Sequence, residues 1–279
     1  MTAVPTLTLN NGVEIPQLGF GVFLVPPEST VETLSHAIEI GYRHIDTAQM
    51  YRNEREVGQA IHESGIDRSE LFVTSKLANN RLNFEQALSG IDASLEALNI
   101  EVLDLFLIHW PLPTVRDFVE TWKAFEQILA GGRVRAVGVS NFQIAHLQRI
   151  LDECEIVPAV NQIEAHPYLT QNELVSFDKA HGIATEAWSP IGRGAVLDDE
   201  VLVRIGELHA KTAAQVTLRW HIQRGSIIFP KSMSPARMRE NFEIFDFQLS
   251  DDEVRQIDAL DRGERVGPDP DTFAMVPPG

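Results

Sequence analysis

The stretch "GYRHIDTAQMYRNE", residues 41–54, decides the fold. Gly41 stops a helix whose apolar residues Val31, Leu34 and Ile38 return at helical spacing. Arg43 to Asp46 then read as a short strand, with His44 and Asp46 on one face and Arg43, Ile45 and Thr47 on the other. Asp46 therefore stands at the tip of a strand, and Tyr51 follows five residues on. A helix, a short strand and a polar turn make one βα repeat, so the question is how often the unit recurs.

Working outward, eight β-like runs appear: "LGFGVF", "RHID", "LFVTSK", "LDLFLIHW", "RAVGVS", "PAVNQI", "IATEAW" and "SIIFPK". Segments of helical period lie between them. "STVETLSHAIEIG" offers Ser29 or Thr30 as N-cap, and "FEQALSGIDASLEALNI" sets Leu88, Ile91, Leu95 and Leu98 on one face. "TAAQVTLRWHIQRG" opens on a capping box, Thr212 with Gln215, and ends at Gly225. Strand and helix alternating eight times predicts parallel strands joined by crossover helices. Eight such units predict an α/β fold, a closed (β/α)8 TIM barrel. The opening "LTLNNGVEI" differs, with two short strands about the turn signal Asn10-Asn11-Gly12. It is expected as a hairpin before the barrel, plugging its bottom. The last stretch, "DRGERVGPDPDTFAMVPPG", reads as a loop tail. With no linker, repeat or low-complexity tract, residues 1–279 are expected to form one domain.

The chain has 23 Lys plus Arg against 40 Asp plus Glu, a formal charge of −17. Such an acidic surface argues against nucleic acid or an anionic membrane as partner, while leaving room for one local basic pocket. The single cysteine, Cys154, has acidic neighbours and makes no internal disulfide, which points to a reducing cytoplasm and to a poor nucleophile. The N-terminus lacks the basic and apolar regions of a signal peptide, and "VLDLFLIHW" is too short to span a bilayer.

Seven of the eight runs end on or near a polar or aromatic group: Asp46, Lys76, His109, Ser140 with Asn141, Gln162, Trp188 with Ser189, and Lys231 with Ser232. In this fold the C-terminal strand ends form the active face, so these groups would meet at one mouth. There the Lys76 ammonium would lower the pKa of the Tyr51 phenol, with Asp46 pairing the lysine. His109 could hydrogen-bond a substrate oxygen. The set suits protonation of an oxygen that is gaining negative charge.

These motifs together resemble the aldo-keto reductase family along nearly the whole chain. "GYRHIDTAQMY", "FVTSKL", "LFLIHWP", "VGVSNF", "PAVNQIEAHP" and "FPKSMSPARMREN" follow in the family's order, with most likeness to the bacterial branch that includes 2,5-diketo-D-gluconate reductases. The resemblance implies NADPH-dependent reduction of aldehydes or ketones, among them diketo sugar acids or small dicarbonyls, without metal. Asp46, Tyr51, Lys76 and His109 would be the catalytic tetrad, with Tyr51 the proton donor. It implies that Ser140, Asn141 and Gln162 hold the nicotinamide carboxamide and that Trp188 stacks on its ring. Ser189, Ile191 and Gly192 would line the pyrophosphate path. Lys231, Ser232 and Arg237 would grip the 2′-phosphate, with Glu240 and Asn241 near the adenine. The family is usually monomeric.

Elementary chemistry supports the phosphate end. Ser234-Pro235 is a helix-start signal, helix N-termini favour phosphate, and Lys231 and Arg237 bring two cations there. NADPH is thus expected over NADH. "GFGVFL" lacks the third glycine of a Rossmann fingerprint, and Gly19 and Gly21 are read instead as a tight strand where backbone approaches the cofactor. "EAHP" offers Glu164 and His166 but no third metal ligand nearby. Phe23, Met50, Trp110 and Phe273 are candidate pocket walls. Arg52 and Arg193 are possible anion contacts, and Ala78 a possible widening of the pocket. Two other readings stand beside the reductase: an NADPH-binding sensor or structural protein on the same scaffold, and a metal-dependent barrel hydrolase or aldolase.

Overall fold

The computed structural model describes residues 4–278. Strands β1 (Thr6–Thr8) and β2 (Glu14–Pro16) pair antiparallel, and Gly12 takes the positive φ of 85° that their turn needs. Eight strands follow: β3 (Phe20–Gly21), β4 (His44–Asp46), β5 (Phe72–Leu77), β6 (Leu103–Ile108), β7 (Val134–Ser140), β8 (Val160–Glu164), β9 (Ala184–Trp188) and β10 (Ile227–Ile228). Each pairs in parallel with the next in chain order. A parallel bridge between Leu18 and Ile228 closes the seam, with Gly19 N–H donating to Ile228 O at 2.7 Å and Ile228 N–H to Gln17 O at 2.9 Å. The result is the expected (β/α)8 barrel, though its first and last strands are only two residues long.

The helices of the outer ring are α1 (Pro27–Ile40), α2 (Glu54–Glu63), α3 (Phe84–Leu98), α4 (Phe118–Ala130), α5 (Ile144–Glu153) and α6 (Asn172–Ala180). After β9 come α7 (Glu200–His209) and α8 (Ala213–Gln223), and after β10 come α9 (Pro235–Phe242) and α10 (Asp251–Asp258). Gly41 ends α1, and the Thr212–Gln215 capping box opens α8, as the sequence predicts. Two local expectations are corrected. Helix α1 starts before Ser29 and Thr30, with Pro26 as N-cap and Pro27 pre-set for the first turn; Thr30 Oγ1 instead donates to Pro26 O at 2.9 Å. The buried face of α3 is Ala87, Gly90, Ile91, Ser94 and Leu98, leaving Leu88 and Leu95 half-buried. Small residues face inward because β5 is close: a Cβ on Gly90 would lie 2.3 Å from Leu77 Cδ1.

Along the strands the two faces part. Val73, Phe106, Ile108, Val137, Val139, Ile163 and Ala187 pack against the helices. The alternate residues Phe72, Leu105, Leu107, Ala136, Val160 and Ile227 form a separate interior cluster with Leu9 and Ile15 of the hairpin. The hairpin plugs the lower end, as expected, and Asn10 and Asn11 tie it to Pro158 O (3.0 Å) and Arg135 O (2.9 Å). The two early glycines lie in a tight strand, as expected, where packing leaves no room for a side chain. A Cβ on Gly19 would lie 2.8 Å from the His44 ring, and one on Gly21 2.8 Å from Phe229 O. Among the described residues no helix is long and apolar enough to cross a membrane.

Candidate active site

The inward parity that is apolar at the bottom turns polar at the top of the same strands. Asp46 ends β4, and Lys76 lies one residue before the end of β5. Both are buried, at 1% exposure each, where an unpaired charge would be prohibitive. They pair instead. Lys76 Nζ donates to Asp46 Oδ1 at 2.7 Å and Oδ2 at 2.8 Å, and to Thr47 O at 2.8 Å. The ammonium also reaches Tyr51 Oη at 3.3 Å. A 3-10 turn over Gln49–Tyr51, closed by Arg52 at a positive φ of 59°, carries the tyrosine back over the strand tip. Gln49 pins that turn, donating to Gly90 O at 2.6 Å and accepting from Ala78 N–H at 2.8 Å.

His109 follows β6 and lies edge-on to the Tyr51 ring, with centroids 5.8 Å apart. Its Nδ1 is buried without a partner. Burial, reinforced by Lys76 and Arg116, holds the imidazole well below its ordinary pKa, so it is neutral and carries one N–H. Burial alone would depress the Lys76 ammonium; the Asp46 carboxylate and Tyr51 outweigh it, and the pKa ends above its usual value. For Tyr51 the expectation is corrected. Burial raises the phenol more than the adjacent ammonium lowers it, so the hydroxyl stays protonated at neutral pH.

The residues assigned to the nicotinamide carboxamide sit beside this cluster. Gln162 Nε2 donates to Asp46 Oδ2 at 2.9 Å and to Glu186 Oε2 at 2.7 Å. Ser140 Oγ donates to Gln162 O at 2.9 Å, and Asn141 Nδ2 to His109 O at 2.9 Å. Trp188 Nε1 donates to Asn141 Oδ1 at 2.8 Å, which fixes the indole. Leu24, Arg52, Leu112, Asn141, Ser189 and Arg193, all in loops after strands, adopt left-handed backbone, strain of a kind that gathers at functional sites. Ile191 is half-buried and Gly192 buried, on the same turn after β9 as Ser189.

The residues expected at the 2′-phosphate lie further round, after β10. Lys231 and Arg237 are exposed and Ser232 is buried. Ser232 Oγ accepts from Ser234 N–H at 3.1 Å, and Pro235 begins α9. Asn241 is buried on α9, while Glu240 is already engaged by Thr212 Oγ1 at 2.6 Å.

Of the expected pocket walls, Phe23 lies 5.0 Å from the Tyr51 ring and Trp110 4.2 Å from Phe273. Met50 is half-buried in the Tyr51 turn, and Arg52 and Arg193 are exposed. Phe273 belongs to a tail that crosses the mouth and is tied at several points. Glu164 accepts from Val266 N–H and from Gly267 N–H (3.1 Å), and Asn79 Nδ2 donates to Met275 O at 3.0 Å. Glu164 also meets His166 Nε2 at 3.1 Å, so this pair holds the tail. Among the described residues no group of three or more His, Cys, Asp or Glu is placed to hold a metal ion. Cys154 is half-buried, and burial followed by Glu126 pushes its thiol up to about 11.

Two buried groups escaped the sequence reading. Glu186 shares the parity of Trp188 on β9, a charged residue at an inward position, which was the available signal. Arg116 is buried in the loop after β6 and donates to Arg81 O (2.8 Å), Pro111 O (3.4 Å) and Trp110 O, bracing that loop. Nothing in "PLPTVRDF" marks it.

Comparison with known proteins gives the same picture. Residues 17–262 match the model of the aldo/keto reductase family. An aldo-keto reductase of Mycolicibacterium smegmatis is 50% identical over 269 residues, covering 96% of this chain and 98% of the relative. The glyoxal reductase of Bacillus subtilis is 49% identical over 267 residues, covering 95% and 96%. The crystal structure of a mutant of Gox0644 in complex with NADPH superposes with a TM-score of 0.94 at 43% identity, covering 98% of this chain and 99% of that one. The chain belongs to the aldo/keto reductase family.

Proposed function

We propose that this protein reduces small aldehydes and ketones, including dicarbonyls, with NADPH, and that Tyr51 supplies the proton. The observation that carries the reading is the Lys76 ammonium, held by Asp46 at 2.7 Å and set 3.3 Å from the Tyr51 hydroxyl at the mouth. The residues fit the cofactor. Both N–H groups of Gln162 are taken by carboxyls, which leaves its carbonyl oxygen free to accept from a carboxamide. Among the described residues neither Lys231 nor Arg237 is in an ion pair, although the chain has a large excess of acid. Both stand beside the start of α9, where backbone N–H groups favour phosphate. When bound, NADPH supplies the hydride to the carbonyl carbon.

The protein's part is to hold and protonate the oxygen. A neutral His109 N–H and the Tyr51 hydroxyl both donate to it without adding charge in the ground state. As hydride arrives, the oxygen becomes strongly basic and takes the Tyr51 proton. The phenolate left behind is compensated by Lys76, whose own charge Asp46 keeps affordable in a buried site. The apolar walls Phe23, Trp110 and Phe273 limit water around the exchange. The similarity to a glyoxal reductase supports small dicarbonyls as substrates.

Loss of the NADPH absorbance band with glyoxal or a reactive aldehyde, in the presence of a strong chelator, tests the proposal. Turnover unaffected by chelator is expected. Turnover abolished by chelator and restored by metal would favour a metal-dependent barrel enzyme, and tight NADPH binding without oxidation would favour a sensor.

A further inference from the structure

The mechanism above leaves unused a buried acid that touches the proposed site. Glu186 lies on the barrel interior, in register with Gln162 on β8 and Ile227 on β10, and is 0% exposed. Its Oε2 takes one N–H of Gln162 at 2.7 Å, and the other N–H goes to Asp46 Oδ2 at 2.9 Å. Its Oε1 is buried with no partner. Unlike Asp46, it has no cation of its own.

The geometry points to Glu186 as a positioning residue: with Asp46 it takes both N–H groups of Gln162, fixing that amide so that only its carbonyl oxygen is free for a carboxamide donor. This rests on the proposed NADPH site. An amide anchored by one carboxylate alone can rotate and present an N–H to the ligand, which opposes a carboxamide N–H instead of accepting from it. With two acceptors on one side, the orientation is set before the cofactor arrives, and the ordering cost of binding falls.

The charge state follows from the surroundings. From β4 comes Asp46, from β5 Lys76, from β8 the neutral Gln162 and from β10 the apolar Ile227. The Lys76 charge is already matched by Asp46. An ionised Glu186 would leave a buried negative charge with one unsolvated oxygen, whereas a neutral carboxyl accepts the same Gln162 hydrogen bond at smaller cost. Burial, reinforced by Asp46, pushes the carboxyl up to about 8. Glutamine should therefore serve at this position as well as glutamate.

NADPH affinity by quenching of tryptophan fluorescence, with kcat and KM for NADPH, would be measured in wild type, Glu186→Leu and Glu186→Gln, with thermal melts confirming the fold. Glu186→Thr, whose short side chain cannot reach the amide, replaces the leucine variant if that one does not fold. Glu186→Leu is expected to raise the Kd about tenfold or more, with kcat at saturating NADPH within about threefold of wild type. Glu186→Gln is expected to stay within about twofold on both. An unchanged Kd in Glu186→Leu or Glu186→Thr, or a loss in Glu186→Gln equal to that in the leucine variant, would overturn the assignment. Wild-type turnover in the same assay reports separately on the proposed reaction, so its failure is distinguishable from that of Glu186.

Discussion

At the lower end of the barrel, Phe72, Leu105, Leu107, Ala136, Val160 and Ile227 close on Leu9 and Ile15 of the hairpin. At the upper end, the same inward parity carries Lys76 on β5, Ser140 on β7, Gln162 and Glu164 on β8, and Glu186 and Trp188 on β9. His109 continues the parity of β6. The backbone is shared and only the side chains differ. Burial of apolar area at the bottom stabilises the fold and demands nothing else. At the top buried polar groups need partners: Asp46, Lys76, Gln162 and Trp188 find them in neighbouring side chains, while His109 Nδ1 and Glu186 Oε1 have none. The lower end thus holds the barrel shut, and the upper end carries the chemistry proposed above.

Four substitutions can break or sharpen this division. The largest effect is expected from Lys76→Met. It strands the Asp46 carboxylate in the interior, costing about 3–5 kcal/mol, and it removes the cation beside Tyr51. Chemical denaturation should show the destabilisation, and turnover of the folded variant should fall by about a hundredfold or more. Ile15→Ala comes next. It should cost about 2–5 kcal/mol by leaving a cavity under the barrel, with kcat/KM below the unfolding transition matching wild type. A catalytic defect in that variant at full foldedness would show that the two ends are not separable.

Gly267→Ala probes the tail at the mouth. A Cβ there would lie 2.3 Å from Trp188 Cη2, so tail or indole must shift. A severalfold rise in KM for NADPH or carbonyl is expected, with little change in melting temperature. The smallest effect concerns Asp178, tucked behind β8 and β9. Burial pushes its carboxyl from 3.8 up to about 7, opposed by hydrogen bonds from Asn161 and Thr185. Between those pH values the folded chain keeps a proton that the unfolded chain has released, so stability falls as pH rises. The stability gap between Asp178→Asn and wild type should therefore move in favour of the variant from about pH 4 to about pH 7 and level off above. A gap independent of pH would show that Asp178 is ionised in the fold.

Much of this was legible in the chain because strand parity and strand ends are local. The alternation around Asp46, Lys76 and Gln162 placed the polar mouth, and Asn10-Asn11-Gly12 placed the hairpin. The closing seam was less legible: Leu18, just before β3, meets Ile228 of β10, and both strands are too short to show alternation. The start of α1 was misread because Ser29 and Thr30 outcompete a Pro-Pro start in any local capping argument. The direction of the Tyr51 pKa needed three dimensions, since burial by its neighbours opposes the ammonium and only packing fixes which wins. The hold of Glu164 on Val266 and Gly267 spans about a hundred positions and leaves no local trace.

The central claim is that a neutral Tyr51 hydroxyl, backed by Lys76, gives its proton to a carbonyl receiving hydride. Tyr51→Phe keeps the ring beside Phe23 and His109 and deletes only the donor. NADPH affinity and NADPH oxidation with glyoxal, measured on one preparation, should show a Kd within about twofold of wild type and a rate lower by about 10²–10⁴. A phenylalanine variant that binds NADPH and turns over within about tenfold of wild type would contradict the account.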